Sequence, residues 1–123
     1  MPLYIVEKLV DATILLDMRG RITLGHETEA FRHKIKELLD AGYRRLILDL
    51  GEITYIDSVG LGTLVGSLTS VRKQGGELKL VRLPKGVHQL LQITRLATVF
   101  EIHDSLESAL QAFDRGLKNG AEL

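Results

Sequence analysis

The segment Ile53-Thr54-Tyr55-Ile56-Asp57-Ser58-Val59-Gly60-Leu61-Gly62 places a serine, a neighbouring carboxylate and two glycines between an apolar run and a helical pattern. In open α/β sheets this is the edge where ligands and partners meet the fold. Ser58 is placed to cap the helix that follows, with its hydroxyl beside unpaired backbone N–H groups and the positive end of the helix dipole. A phosphate on that hydroxyl would find donors already pointed at it. On residue chemistry alone the plain cap is favoured, because every helix needs one and few are phosphorylated.

Other chemistries find less support. Asp49 and Asp57 are the acids nearest the segment, and their spacing yields no Ser-His-Asp or paired-carboxylate arrangement. His26, His33, His88 and His103 lack metal-ligand spacing, apart from His26 and His33 at i and i+7 of one helical face. These two read as exposed polar-face residues, and neither a metal nor a cofactor is expected. Zero cysteines exclude thiolate sites, disulfides and a cysteine nucleophile. Gly60-Leu61-Gly62-Thr63-Leu64-Val65-Gly66 partly matches a dinucleotide fingerprint, but its third glycine comes one residue late. A small nucleotide-binding enzyme is therefore a minor alternative. Gly62 and Gly66 read instead as close packing of the helix against the sheet or a neighbour.

These residues need elements to hold them. The 123 residues are 45% hydrophobic and 26% charged, enough for one domain with its own core. Tyr4 to Val10 and Thr13 to Met18 read as adjacent strands, the second ended by Gly20. From Gly25, Phe31, Ile35, Leu38 and Leu39 fall at helical spacing. Arg45 to Leu50 is a short apolar run suited to a strand buried on both faces. Leu61, Leu64, Val65, Leu68 and Val71 form the buried stripe of a second helix that closes at Arg72-Lys73 and Gly75-Gly76. Glu77 to Val81 reads as a strand, Pro84 sits in the first turn of a third helix, and Val99 to Ile102 is a short fifth strand. Asp104 and Glu107 form a capping box ahead of a last helix with Ala109 and Phe113 on its buried face. The order β-β-α-β-α-β-α-β-α predicts an α/β domain: a mixed, partly parallel sheet of four to five strands with about four helices.

With this order, Asp57-Ser58-Val59-Gly60-Leu61-Gly62 resembles the signature of STAS-domain anti-sigma factor antagonists, and Gly20-Arg21-Ile22 resembles their turn after the second strand. The resemblance implies a single STAS domain over residues 1–115, with a short tail at 116–123. It implies a non-enzymatic bacterial regulator in which Ser58 is phosphorylated by an anti-sigma factor that is itself a serine kinase, and a serine phosphatase reverses the modification. The unphosphorylated form would bind the kinase and release a sigma factor for transcription. Asp57, Ser58, Val59, Gly60, Leu61 and Gly62 would then form the partner-binding segment, Gly60 and Gly62 allowing close approach at the helix start. Two positions depart from the family pattern. Val59 stands where many members have Ser, Ala or Thr, and Thr23 stands where many carry an acidic residue in a partner-contacting loop. The alternative within the same fold is a scaffold or accessory subunit of a stress-signalling or transport complex without a phospho-switch.

Charge agrees with a protein partner. Sixteen Lys+Arg balance 16 Asp+Glu, so the broad cationic footprint of a nucleic-acid binder is missing, and so is default attraction to an anionic membrane. No stretch approaches the ~20 apolar residues of a membrane span. The expectation is a cytoplasmic monomer or weak homodimer. Arg44-Arg45 and Arg72-Lys73 read as solvated faces and helix-end complements.

Overall fold

A computed structural model describes the backbone of residues 3–122 and the side chains of residues 3–115. Nine elements follow the expected order: β1 (Tyr4–Val10), β2 (Thr13–Ile22), α1 (His26–Asp40), β3 (Arg45–Ile56), α2 (Ser58–Lys73), β4 (Glu77–Val81), α3 (Lys85–Ile93), β5 (Glu101–His103) and α4 (Leu106–Glu122). The strands lie side by side in sequence order; β1 is antiparallel to β2 and every later neighbour is parallel. The expected tail at 116–123 falls on residues whose side chains lie outside those described.

Sequential parallel strands joined by crossovers of one hand put all the crossover helices on the same face. Accordingly α1, α2 and α3 cover one face of the sheet. Phe31, Ile35, Leu64, Leu68, Val71 and Leu91 from these helices pack on Ile14, Leu16 and Met18 of β2, Leu46, Leu48 and Leu50 of β3, and Leu78 and Leu80 of β4. The alternate strand residues Leu15, Ile47 and Val81 point the other way and meet Ala109 and Phe113 of α4, with Leu106 and Leu110 packed at the edge. This two-residue alternation is why β3 reads as a continuous apolar run.

Several local expectations are corrected. β2 continues through Gly20 to Ile22, because Gly20 takes φ 110° and the register with β3 shifts there, a bulge that bends the strand without ending it. β3 runs on to Ile56, so Ile53 to Ile56 is strand and not connecting loop. The N-cap of α4 is Ser105, whose Oγ accepts from the Ser108 N–H at 3.1 Å, in place of Asp104. Arg72 and Lys73 are exposed in the last turn of α2, as expected of helix-end complements, whereas Arg44 and Arg45 are half-buried; Arg44 donates to the carbonyls of Leu39 (3.0 Å), Tyr43 (2.8 Å) and Gln74 (3.0 Å), and Arg72 also to Glu77 (3.1 Å) and the Val99 carbonyl (3.3 Å). Asp49 is committed likewise, accepting from Arg82 Nε and from the Gly51 N–H, each at 3.0 Å.

The contact of α4 with the sheet includes a charge. Lys79, only 5% exposed, projects toward α4, pairs with Glu101 and lies 4.5 Å from the Phe113 ring centroid. Its ammonium is thus compensated by a carboxylate and an aromatic face. His103 extends the group, with Nε2 2.6 Å from Glu101 and Nδ1 2.7 Å from the Ser108 hydroxyl on α4. Burial pushes the Glu101 carboxyl up, but the bonds from His103 and Lys79 outweigh it and hold it below its ordinary value. Phe113→Ala should therefore cost about 3 kcal/mol in urea denaturation, with hydrogen exchange rising in α4 and β5 before the other elements.

Candidate functional site

The end of β3, the start of α2 and the loop between β2 and α1 meet around one carboxylate. Asp57 has extended backbone (φ −91°, ψ −179°) and is the N-cap of α2. Its Oδ1 accepts from the Gly60 N–H at 2.7 Å, and its Oδ2 accepts from the Leu24 N–H at 2.9 Å in the β2–α1 loop. The Asp57 N–H donates to the Ile22 carbonyl at 3.3 Å. One residue thus joins three segments. Hydrogen bonds from Leu24 and Gly60 hold the Asp57 carboxyl below the usual carboxylate range.

This geometry corrects the expectation for Ser58. The cap is Asp57, since its carboxylate reaches the third helical N–H, and Ser58 is the first residue of the helix proper. Ser58 is exposed, and its hydroxyl is not engaged by the helix end. The neighbouring glycines differ in role. A Cβ on Gly60 would lie 1.9 Å from the Ile22 carbonyl oxygen, so only glycine lets the end of β2 seat against α2. Gly62 faces open space with nothing within 4 Å, which removes the expectation that it serves close approach inside the domain. Gly60, Gly62 and Gly66 all lie within α2 rather than in a turn before it, so they do not form the phosphate-cradling loop a dinucleotide fold requires.

Around Ser58 the surface is apolar. Three exposed apolar side chains lie near Ser58: Leu24 (72% exposed), whose N–H is held by Asp57, Tyr55 (51%), three residues before Ser58, and Val59 (38%), next to it. Arg21 lies over the Tyr55 ring at 5.0 Å, its register partner across β2 and β3. Thr23 is half-buried in the loop next to Leu24, and Leu61 is half-buried against the main core, donating its N–H to the Asp57 carbonyl at 2.9 Å. Beside Tyr55 a hollow of about 330 Å³ opens between Ile53, Ile56, Pro84, Val87 and Leu90. Arg21, Leu24 and Tyr55 escaped sequence reasoning. Leu24 and Tyr55 look like ordinary apolar positions, and it is the pairing of Ile22 with Ile56, together with the Asp57–Leu24 hydrogen bond, that brings the loop bearing Leu24 beside the end of β3.

The match of most of the chain to known proteins agrees with this geometry. Residues 4–109 match the model of the STAS domain. The chain belongs to the STAS domain family. Among its relatives is the anti-sigma-B factor antagonist of Bacillus subtilis, 34% identical over 98 residues that make up 80% of this chain and 88% of the relative. The crystal structure of a candidate anti-sigma factor antagonist from Thermotoga maritima superposes with a TM-score of 0.82 at 28% identity, covering 88% of this chain and 92% of that one. The Bacillus cell-fate determinant SpoIIAA in its phosphorylated form shares the STAS fold, with a TM-score of 0.70 at 21% identity over 91% of this chain and 98% of that one. Its unphosphorylated form gives 0.69 at 20% identity over 91% and 96%. Among the described residues no helix is long and apolar enough to cross a membrane.

Two expected outcomes test the local geometry of this STAS domain. Gly60→Ala should lower stability by about 3 kcal/mol through the clash with Ile22, whereas Gly62→Ala should raise it by up to about 1 kcal/mol by removing a helical glycine; thermal unfolding of both reads the contrast. Asp57→Ala should destabilise at neutral pH. The folded-state carboxyl of Asp57 is depressed, so its contribution is present above the unfolded value of about 4 and is lost as pH falls through the lower folded value. Unfolding midpoints of wild type and Asp57→Ala should therefore converge below about pH 4, and a constant gap down to pH 2 would refute the linkage.

Proposed function

We propose that this STAS domain is an anti-sigma factor antagonist and works as a non-enzymatic, phosphorylation-switched binding module in the bacterial cytoplasm. In its unmodified form it binds an anti-sigma serine kinase and so releases a sigma factor; phosphorylation of Ser58 by that kinase ends the binding, and a serine phosphatase restores it. The observation that carries this reading is an exposed serine at the head of α2 that is not its cap, next to the clamped Asp57 carboxylate, with the exposed side chains of Leu24, Tyr55 and Val59 nearby. Asp57, Ser58, Val59 and the loop of Thr23 and Leu24 form the docking surface, while Gly60 and Leu61 hold it in place.

The geometry also supplies a reason for the switch. Asp57 already occupies the Gly60 N–H that a phosphate at a helix start would otherwise take. A phosphate on Ser58 therefore remains a surface dianion beside a carboxylate, adding roughly −1.5 to −2 charge where docking must remove water. Burying such a charge unpaired costs several kcal/mol, and ~1.4 kcal/mol is already tenfold in affinity. No refolding is needed.

The test is phosphosite mass spectrometry on protein from growing and stressed host cells, paired with kinase binding in vitro. Ser58 should carry phosphate at an occupancy that changes with condition. Ser58→Ala should keep the fold within about 0.5 kcal/mol of wild type, since the hydroxyl is not the cap, and should bind the kinase permanently. Ser58→Asp should weaken binding at least tenfold. A Ser58 that stays bare in both conditions, with kinase binding indifferent to either variant, would overturn the switch.

A further inference from the structure

The exposed flank of α2 carries two glycines that the fold does not use. Cβ atoms on Gly62 and Gly66 would meet nothing within 4 Å, in contrast to Gly60 and Gly76, whose Cβ atoms would strike the carbonyl oxygens of Ile22 at 1.9 Å and Arg44 at 2.4 Å. Glycine in a helix interior is destabilising relative to alanine, so two at i and i+4 with open space beside them call for a reason outside the domain. Ser70 continues the spacing. Gly62, Gly66 and Ser70 then form an exposed row of small residues down one side of α2, beginning one turn after the exposed Val59 that follows Ser58. Small residues four apart are the pattern that lets a second helix bring its backbone close.

A groove of about 390 Å³ runs beside this row, between α1 and α2. Its floor is Ile35 and Leu39, its α2 wall is Gly62, Gly66 and Ser70, and its α1 wall carries Arg32 and Lys36. Among the described residues no acidic side chain lines it. The two cations are held only by exposed surface pairs, Arg32 with Glu29 at 3.7 Å and Lys36 with Asp40 at 2.8 Å. Such pairs are weak and can be exchanged for a partner's carboxylates.

We infer that the α1–α2 groove receives an acidic amphipathic helix of the anti-sigma partner, its backbone close to Gly62 and Gly66 and its carboxylates against Arg32 and Lys36. This rests on the reading of Ser58 as the partner-docking end of α2 and extends that surface along the helix. The row begins one turn after Val59, so one partner can cover both.

The test uses the full chain in two arms. In the first, a 15N-labelled sample is titrated with an alanine-based helical peptide bearing glutamates along one flank, and with the same peptide bearing lysines. Saturable shifts at Gly62, Gly66, Ser70, Arg32 and Lys36 with the glutamate peptide, at least tenfold tighter than with the lysine peptide, are expected. Equal affinities, or no shifts at these residues, would overturn the groove. In the second, kinase affinity is measured for Gly66→Gln and for the double variant Arg32→Glu/Lys36→Glu. Gly66→Gln should unfold at or above the wild-type midpoint, because its side chain enters open space and removes a helical glycine, yet bind at least tenfold more weakly; the double variant should show the same loss with a shallower salt dependence. A kinase whose binding responds to Ser58→Asp but not to either groove variant would refute the groove and leave the Ser58 reading standing. A kinase indifferent to Ser58→Asp would refute that reading instead, and the peptide titration then decides the groove by itself.

Discussion

The Asp57 carboxylate is the interaction on which the rest of the site depends. A carboxylate at an N-cap ordinarily satisfies the helix it begins. Here its second oxygen also holds the Leu24 N–H, 33 residues earlier in the chain, so the first turn of α2 and the loop before α1 cannot move independently. The cost of that closeness is written into Gly60, where the Ile22 carbonyl occupies the space of a Cβ. With the cap supplied by Asp57, the serine beside it is released from structural duty. A side chain left free at a helix start, on a surface otherwise held rigid, is well suited to carrying a modification.

The sheet supplies the rigidity. Three helices on one face of five strands bury a continuous core, and its central strand, β3, delivers Tyr55, Asp57 and Ser58 in succession to the sheet edge. The other face is covered by α4 alone, over a second small cluster. That smaller contact is reinforced by polar groups, Lys79 being compensated by Glu101 and Phe113, with His103 and Ser108 joining the strand edge to the helix. The ion pair is half-exposed, with Glu101 at 43%, and ties β4 to β5; α4 is met by the Phe113 ring over Lys79 and by Ser108 at His103. The Ser58 site lies at the end of the sheet stabilised by the larger core.

Electrostatics then act locally. The formal net charge is zero, so the protein brings no large field to an encounter, and a change of about two charges at Ser58 would dominate its neighbourhood. The exposed apolar side chains supply area, the clamped carboxylate supplies a fixed negative neighbour, and the basic wall of α1 offers the opposite sign along the flank of α2. A partner reading all of these would sense shape and charge together.

Much of this was legible in the residues. Period and punctuation mark the nine elements: a two-residue alternation or apolar run for each strand, an i, i+3, i+4 stripe for each helix, and glycines at Gly20, Gly25, Gly42 and Gly75 where φ turns positive, although Asp11, Arg82 and Arg95 turn positive without one. The motif Asp57 to Gly62 marks the site because its residue types are local necessities of a strand-to-helix turn. What sequence could not settle is whatever depends on distant segments. Ser58 or Asp57 could each cap α2, and the choice fell to Asp57 because the Leu24 N–H, supplied by another loop, rewards a two-oxygen acceptor. Gly20 looks like a strand end and is a bulge, because β3 continues beside it and offers hydrogen bonds. Gly60 and Gly62 look alike in the chain, yet only tertiary structure presses a carbonyl against one and leaves the other facing an open groove. Local propensity sets which element forms; the partners across space decide what each side chain is free to do.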